Sequence, residues 1–325
     1  MPDLLWPIKW IIELILVGWH WLFTNVFMLP TGAGINWVLS IMGLTVVVRA
    51  ALIPIFVKQI KSQRNMLAAQ PELQKLQKKY KGKTDRDSRE KFAREQMDLY
   101  KRTGSNPLSS CLPLLIQMPI FSALFFAVND AQHGKEGVGL LRGEYADSLE
   151  TANLWGAPLK ETFFGAIGKL QSGDVTDGVN HVSVLVIAAV MIITMTVSQF
   201  ITQKQILAKN QNPEIMNSQY AQTQKIMLWI LPFIFLISGT TFAIGIMFYW
   251  LASNVWTMGQ QYIVIRNMPT PGSIAYKQRE ARLEKKGKLK KDAPAEAETP
   301  AEETPRQRTQ PVGKTRAKKT TPKKK

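Results

Sequence analysis

Hydrophobic and polar positions follow one another along this chain in long blocks, not in the short alternation of a sheet. The first block is 36–58, NWVLSIMGLTVVVRAALIPIFVK, uncharged from Trp37 to Val57 except for Arg49. It matches the roughly 20 apolar residues that a helix needs to cross hydrocarbon. Further blocks cover 107–128, 182–202 and 226–265. The last is too long for one span and just long enough for two. Gly239-Thr240-Thr241 is the expected turn within it, giving spans at 226–240 and 242–265. The first of that pair would be only about 22 Å long at 1.5 Å per residue. The pattern predicts an all-α integral membrane protein with a five-span core.

The intervening segments carry helical periodicities of their own. Over 1–35, Lys9, Glu13, His20 and Thr24 recur at spacings that stack them on one face, among Trp10, Trp19 and Trp21. This predicts an amphipathic helix lying in the outer interface. Residues 8–29 are also long enough for a sixth span. Over 59–106, Leu73, Leu76 and Tyr80 share a face, and Phe92, Met97, Leu99 and Tyr100 form a looser one. With Pro71 in a first turn, Gly82 in the turn, and a second helix from Asp85 to Gly104, a cytoplasmic helical hairpin is expected. Residues 129–181 read as a polar loop with a short helix near 158–171, and 203–225 as a short polar loop broken at Pro213. In the tail, 266–325, a helix is expected over 276–291, and the rest has too little to bury and is expected to be disordered.

Charge orients these elements. The segment from Lys58 to Arg102 is net +8 and the tail net +11, whereas 129–181 is net −4. The positive-inside rule places the hairpin, the 203–225 loop and the C-terminal tail in the cytoplasm, and 129–181 outside. Five spans close this topology. The whole chain of 325 residues is net +17, and its mean hydropathy of −0.07 averages two unlike parts. One cysteine, Cys111, excludes an internal disulfide or a paired-cysteine metal site. His20, His133 and His181 are far apart and read as solvated or interfacial, so no metal or cofactor is expected. The start, MPDLLWPIK, has no basic region or small-residue cleavage pattern, so no cleavable signal peptide is expected.

Arg49 is the residue that the apolar pattern does not explain. An arginine at the centre of a span costs about 2.5–3.5 kcal/mol on insertion scales. Pro54, five residues on, takes the helical donor from the Ala50 carbonyl. Either Arg49 snorkels from a kinked structural helix, or it faces a hydrated path. Gln117, Gln199, Asn254 and Gln260 are amides in other spans, and Trp250 lies beside them; each can line such a path or satisfy a neighbouring helix.

Several linked motifs carry a resemblance. VVRAALIPIFVKQIKS, QPELQKLQKKY, NPLSSCLPLLIQMPIF and YWLASNVWTMGQQY together resemble the YidC/Oxa/Alb membrane protein insertases. The match covers roughly 36–128 and 182–265 in the family's order. It implies a five-span core enclosing a polar groove open to the cytoplasm and to lipid, with Arg49 at the position of the groove's arginine. It implies a non-enzymatic insertase and chaperone in the bacterial cell membrane, multi-pass, with a cytoplasmic C-terminus. The implied substrates are nascent membrane proteins, inserted alone or with the Sec translocon. Further partners on this reading are the ribosome through the basic tail, the signal recognition particle or its receptor, and the lipid bilayer. The chain lacks the large outer domain of Gram-negative members and the lipoprotein cysteine of many Gram-positive ones. It is most similar to actinobacterial members, whose basic tails are long. Between its last two spans stands Thr241-Phe242-Ala243-Ile244-Gly245, where the family usually has a small proline-glycine turn.

Other classes fit less well. A small transporter or channel predicts several intramembrane charges or an internal repeat, and the spans hold one charge and no convincing repeat. An intramembrane enzyme predicts paired His or Asp or a G-x-S-x-G, and a nucleotide-driven machine a G-x-x-x-x-G-K-[ST]; none is present. The tail suits RNA phosphates, a contact that weakens with salt, but the spans make it accessory. The charge contrast between loops predicts the labelling pattern of single cysteines in a Cys111→Ser background. Leu140→Cys reacts with an impermeant maleimide on intact cells, and Glu90→Cys and Pro300→Cys react only after permeabilisation. Labelling of Glu90→Cys from outside would refute the five-span topology.

Overall fold

A computed structural model describes residues 4–106, 112–173, 179–210 and 219–287. The start of the second expected span at 107–111, the middle of the 203–225 loop and the tail from 288 lie outside these residues. The described chain is almost entirely helical. In order it forms α1 (Trp6–Asn25), α2 (Gly34–Ala51), α3 (Ile53–Tyr80), α4 (Arg86–Arg102), α5 (Leu112–Gln132) and α6 (Glu144–Glu150). A two-stranded antiparallel ribbon follows, β1 (Asn153–Leu154) and β2 (Ala157–Pro158). Then come α7 (Phe163–Ser172), α8 (His181–Asn210), α9 (Gln219–Thr241), α10 (Ile244–Asn267) and α11 (Ile274–Lys285).

The outer faces of the long helices are apolar. Val182, Val186, Val190, Ile193, Val197 and Ile201 form one exposed stripe along α8, and Trp229, Phe233 and Ile237 are exposed on α9. Such a surface needs lipid rather than water as its solvent. By length and composition, Gly34–Ala51 and His181–Lys209 can cross a membrane, and Lys225–Thr241 is a shorter apolar stretch.

The packed core gathers at the end of the bundle that carries the α5–α8 connection. Trp37, Ile41 and Leu44 of α2, Leu124 of α5, Leu141, Leu149 and Leu159 of the connection, Met195 of α8 and Ile244 and Met247 of α10 are fully buried. Gly34 fits its helix start against the Asn153–Leu154 backbone, where a Cβ would collide. Beyond Thr45 on α2 and Asn254 on α10, burial thins abruptly: Val46 and Val47 are exposed, as are Val255 and Met258.

Several elements depart from expectation. α1 does not turn its polar face to water. Glu13 and His20 are buried, while Trp6, Trp10, Ile11, Leu14 and Trp21 are exposed. The Glu13 carboxylate accepts backbone N–H bonds from Val138 (3.0 Å), Gly139 (2.6 Å) and Leu141 (3.4 Å). A charge so wrapped in donors can be buried. His20 stacks on Trp37 at 4.1 Å and reaches the Thr31 carbonyl at 3.0 Å. The polar stripe is thus turned inward: Glu13 docks the connection, His20 and Thr24 meet α2 and the chain before it, and Lys9 lies over Phe126 of α5.

The hairpin of α3 and α4 exists, but Pro71 lies inside α3 and not in a first turn. A proline removes one ladder bond and need not end a helix that is otherwise continuous. Asp85 caps α4 by accepting from the Ser88 N–H at 2.8 Å. Leu73 and Leu99 are buried between the arms, Tyr80 meets Phe92 edge-on, and Met97 is exposed. Hydrogen bonds from Lys79, then Tyr80, hold the Glu95 carboxyl below the usual carboxylate range. α8 continues through Gln203–Asn210 and α9 starts at Gln219, so helix replaces much of the expected 203–225 loop. Gln and Lys are good helix formers, which polarity alone conceals. At 23 residues α9 is longer than the expected 226–240 span, and the turn to α10 falls at Phe242–Ala243, past Gly239. In the connection, α7 covers part of the expected helix, and α6 and the β ribbon were not expected.

Glu13→Ala strips three backbone donors of their acceptor. A loss of about 2–3 kcal/mol is expected, read as a lower midpoint for thermal unfolding in detergent. Glu13→Gln, which keeps one acceptor oxygen, should fall between the two.

Candidate functional site

The site is built where burial stops. Asn36, Ser40, Thr45 and Arg49 follow one face of α2 at spacings of four and five. The first hydroxyls are satisfied within the helix: Ser40 Oγ donates to the Asn36 carbonyl at 2.7 Å, and Thr45 Oγ1 to the Ile41 carbonyl at 2.8 Å. Arg49, in the last turn, has no such recourse. It is half-buried, and its Nε is buried without a hydrogen-bond partner among the described residues. Its guanidinium carbon lies 5.9 Å from the Phe56 ring centroid, across the break at Leu52 where Pro54 sets the first turn of α3. There the Leu52 carbonyl accepts from Ile55 at 3.1 Å and Phe56 at 3.0 Å.

α10 and, through it, α5 bring polar groups toward this arginine. Tyr249 of α10 is 2% exposed and lies within electrostatic reach of Arg49. Its hydroxyl accepts a hydrogen bond from Gln117 Nε2 of α5. One turn along α10, Ser253 and Asn254 are buried, Ser253 within hydrogen-bonding reach of Tyr249 and Asn254 Nδ2 unpartnered among the described residues. Thr196 Oγ1 of α8 is in the same condition. A buried polar atom costs about 1–3 kcal/mol when unpaired. Arg49 Nε in the last turn of α2, with the mid-helix atoms of Thr196 and Asn254, describes a polar seam suited to water or a polar ligand.

Arg49 and Gln117 therefore share Tyr249, and Asn254 continues the same seam. Trp250 turns elsewhere. It stacks on Phe121 at 5.4 Å and meets Phe242 (4.9 Å) and Phe235 (5.9 Å) edge-on, tying α5, α9 and α10 into an aromatic cluster. Gln260 accepts from Trp256 Nε1 at 3.2 Å within its own helix. Gln199 is half-buried, and no hydrogen bond among the described residues brings it to Arg49. Tyr249, Ser253 and Thr196 were not among the sequence candidates. Tyr249 had a signal: a phenol in an apolar run needs a partner for its hydroxyl. Among the described residues no group of three or more His, Cys, Asp or Glu gathers as metal ligands.

Apolar outer faces around a polar interior seam define an all-α integral membrane protein. The family model described as 60Kd inner membrane protein matches residues 28–271. The chain belongs to that family. It is 42% identical over 269 residues to the membrane protein insertase YidC of Streptomyces avermitilis, covering 83% of this chain and 59% of that one. It is 39% identical over 321 residues to the membrane protein insertase YidC of Tropheryma whipplei, strain Twist, covering 98% of this chain and 97% of the relative. The insertase of the same name from Bifidobacterium longum is 32% identical over 333 residues, covering 97% of this chain and 95% of the relative.

The bond between Gln117 and Tyr249 predicts coupling between α5 and α10. In a double-mutant cycle of Gln117→Leu and Tyr249→Phe, unfolded in bicelles, a coupling energy of about 0.6–1.7 kcal/mol is expected, the range of hydrogen bonds between membrane helices. Strict additivity would show that the bond does not form.

Proposed function

We propose that this chain is an insertase that moves nascent transmembrane segments into the cytoplasmic membrane of a bacterium. The observation that carries the reading is the charged, half-buried Arg49, its Nε unpartnered among the described residues and Tyr249 within electrostatic reach, in an otherwise apolar bundle whose α8 and α10 also hold unpartnered buried polar atoms. A short polar segment of a substrate must cross an apolar barrier. A hydrated seam with a fixed positive charge lowers that barrier, most for acidic segments, because opposite charges attract strongly where screening is weak. The apolar part then leaves sideways into lipid. Its burial supplies the driving force, at about 25 cal/mol per Å². No bond is made or broken.

On this reading five helices span the bilayer, the thinly packed end of the bundle opens to the cytoplasm, and the α5–α8 connection lies outside. α1 lies along the outer interface. In support, one end of α1 approaches α5, where Lys9 lies 5.2 Å from the Phe126 ring, and the other meets the first turn of α2, where Asn36 donates to Thr24 at 2.8 Å. Both contacts fall toward the end of the bundle that carries the connection. The hairpin and basic tail face the cytoplasm, where the ribosome, targeting factors and the Sec translocon are the expected partners. Gln117, Gln199, Asn254 and Gln260 remain the proposed groove amides, and Trp250 a wall rather than a contact.

The test is insertion of a small substrate with an acidic outer segment in a strain depleted of the wild-type protein. Arg49→Lys keeps most activity, because a point charge and not bidentate geometry is needed. Arg49→Ala slows insertion about tenfold, equivalent to about 1.4 kcal/mol of barrier, and spares substrates with neutral outer segments. Normal insertion by Arg49→Ala at wild-type protein level would return Arg49 to a structural role.

A further inference from the structure

A second polar site lies at the thinly packed end of the bundle, apart from the Arg49 seam. Lys209 in the last turn of α8, Arg266 in the last turn of α10 and Arg282 in the last turn of α11 line one cavity of about 390 Å³. No carboxylate lines it. The acidic residues of α11, Glu280 and Glu284, lie two positions from Arg282 and so on the far side of the helix.

Neutral groups hold the arginines in place. Arg282 NH2 donates to the Arg266 carbonyl at 2.8 Å, and Arg282 Nε to the Gln278 carbonyl at 3.3 Å. Arg266 NH1 donates to the Tyr262 hydroxyl at 2.9 Å. None of the three cations forms an ion pair among the described residues. The C-terminal dipole of each helix offers only about half a negative charge. Three like charges gathered without a counter-charge make a site for an anion, and guanidinium pairs suit the oxygens of a phosphate.

The remaining wall decides which phosphate. Tyr262, Ile265 and Ala275 make one side of the cavity apolar. That side continues along the bundle into exposed Ile201 and Val197 of α8 and Ile263 of α10. A phosphate on a soluble partner has no use for such a wall, whereas acyl chains would lie along it. The volume is within the usual small-molecule range of about 300–1,000 Å³ and too small for a nucleic-acid helix. We infer that Lys209, Arg266 and Arg282 form a binding site for the phosphate of an anionic phospholipid headgroup, with α11 as its lid. A basic pocket between helices at the membrane surface is a recognised setting for such headgroups. The site is independent of the insertase reading.

The experiment is native mass spectrometry of the full chain in detergent, titrated with phosphatidylglycerol or phosphatidylcholine. The wild-type protein is expected to hold one phosphatidylglycerol in preference to phosphatidylcholine. Lys209→Gln/Arg266→Gln/Arg282→Gln binds it at least about tenfold more weakly. An equal loss of charge on the hairpin, Lys81→Gln/Lys83→Gln/Arg86→Gln, leaves it unchanged. Lys209→Gln alone, at an exposed residue whose loss does not threaten folding, gives a smaller loss in the same direction. Four results would overturn the site: no preference over phosphatidylcholine, an equal effect of the hairpin variant, displacement by excess inorganic phosphate as readily as by lipid, or weaker ribosome co-sedimentation of the triple variant with unchanged lipid binding. The last would assign these cations to RNA.

Discussion

A polar atom taken out of water needs a partner, and the two ends of this bundle meet that requirement differently. Toward the α5–α8 connection, the protein supplies most of the partners. Glu13 gathers three backbone N–H groups, Trp37 Nε1 donates to Ser148 Oγ at 3.0 Å, and Ser148 donates in turn to the Thr31 carbonyl at 2.8 Å. The unpaired atoms at that end belong to Gln132 and His181 at helix termini, to Asn36 in the first turn of α2, and to His20 Nδ1, on a ring whose Nε2 is bonded to the Thr31 carbonyl. Those of Thr196 on α8 and Asn254 on α10 sit in mid-helix. The first arrangement makes a rigid block. The second leaves polarity unspent inside a membrane protein, where it is costly unless it is used.

Much of this was legible in the sequence, because apolar block length and loop charge are strong signals in a membrane chain. The helices, the hairpin with its Asp85 start, and the isolation of Arg49 all follow from local pattern. What failed was direction. The stripe of Lys9, Glu13, His20 and Thr24 was visible, but a helical period does not say whether the polar face meets water or a loop. Only the backbone N–H groups of Val138 and Gly139, distant in sequence, settle that for Glu13. The aromatic packing of Trp250 was hidden for the same reason. Its neighbours Phe121, Phe235 and Phe242 come from three segments, and one sequence does not pair them. Helix ends were misread where Gln and Lys continue a helix past its apolar block, as at Gln203–Asn210.

The seam and the basic cavity divide the chemistry of the bundle between its interior and its surface. Arg49 is held near neutral polar groups and an aromatic ring, which leaves its charge available. Lys209, Arg266 and Arg282 crowd three charges at helix ends without a carboxylate. Some hairpin cations, in contrast, are paired with carboxylates: Lys79 with Glu95, Arg102 with Glu72, Lys91 with Asp87 and Arg94 with Glu90. These pairs are exposed and add little stability each, about 0–1 kcal/mol.

The break at Leu52 has a mechanical consequence. α3 begins there, within one turn of Arg49, and runs unbroken for 28 residues to Tyr80. It is a lever about 42 Å long at 1.5 Å per residue. Its short end, Phe56, rests near the guanidinium, and its long end is the hairpin tip. A swing of about 10° around Leu52 would carry Tyr80 through about 7 Å and move Phe56 by only about 1 Å. Whatever grips the tip in the aqueous phase thereby gains a geared, small-amplitude control over the surroundings of the buried charge.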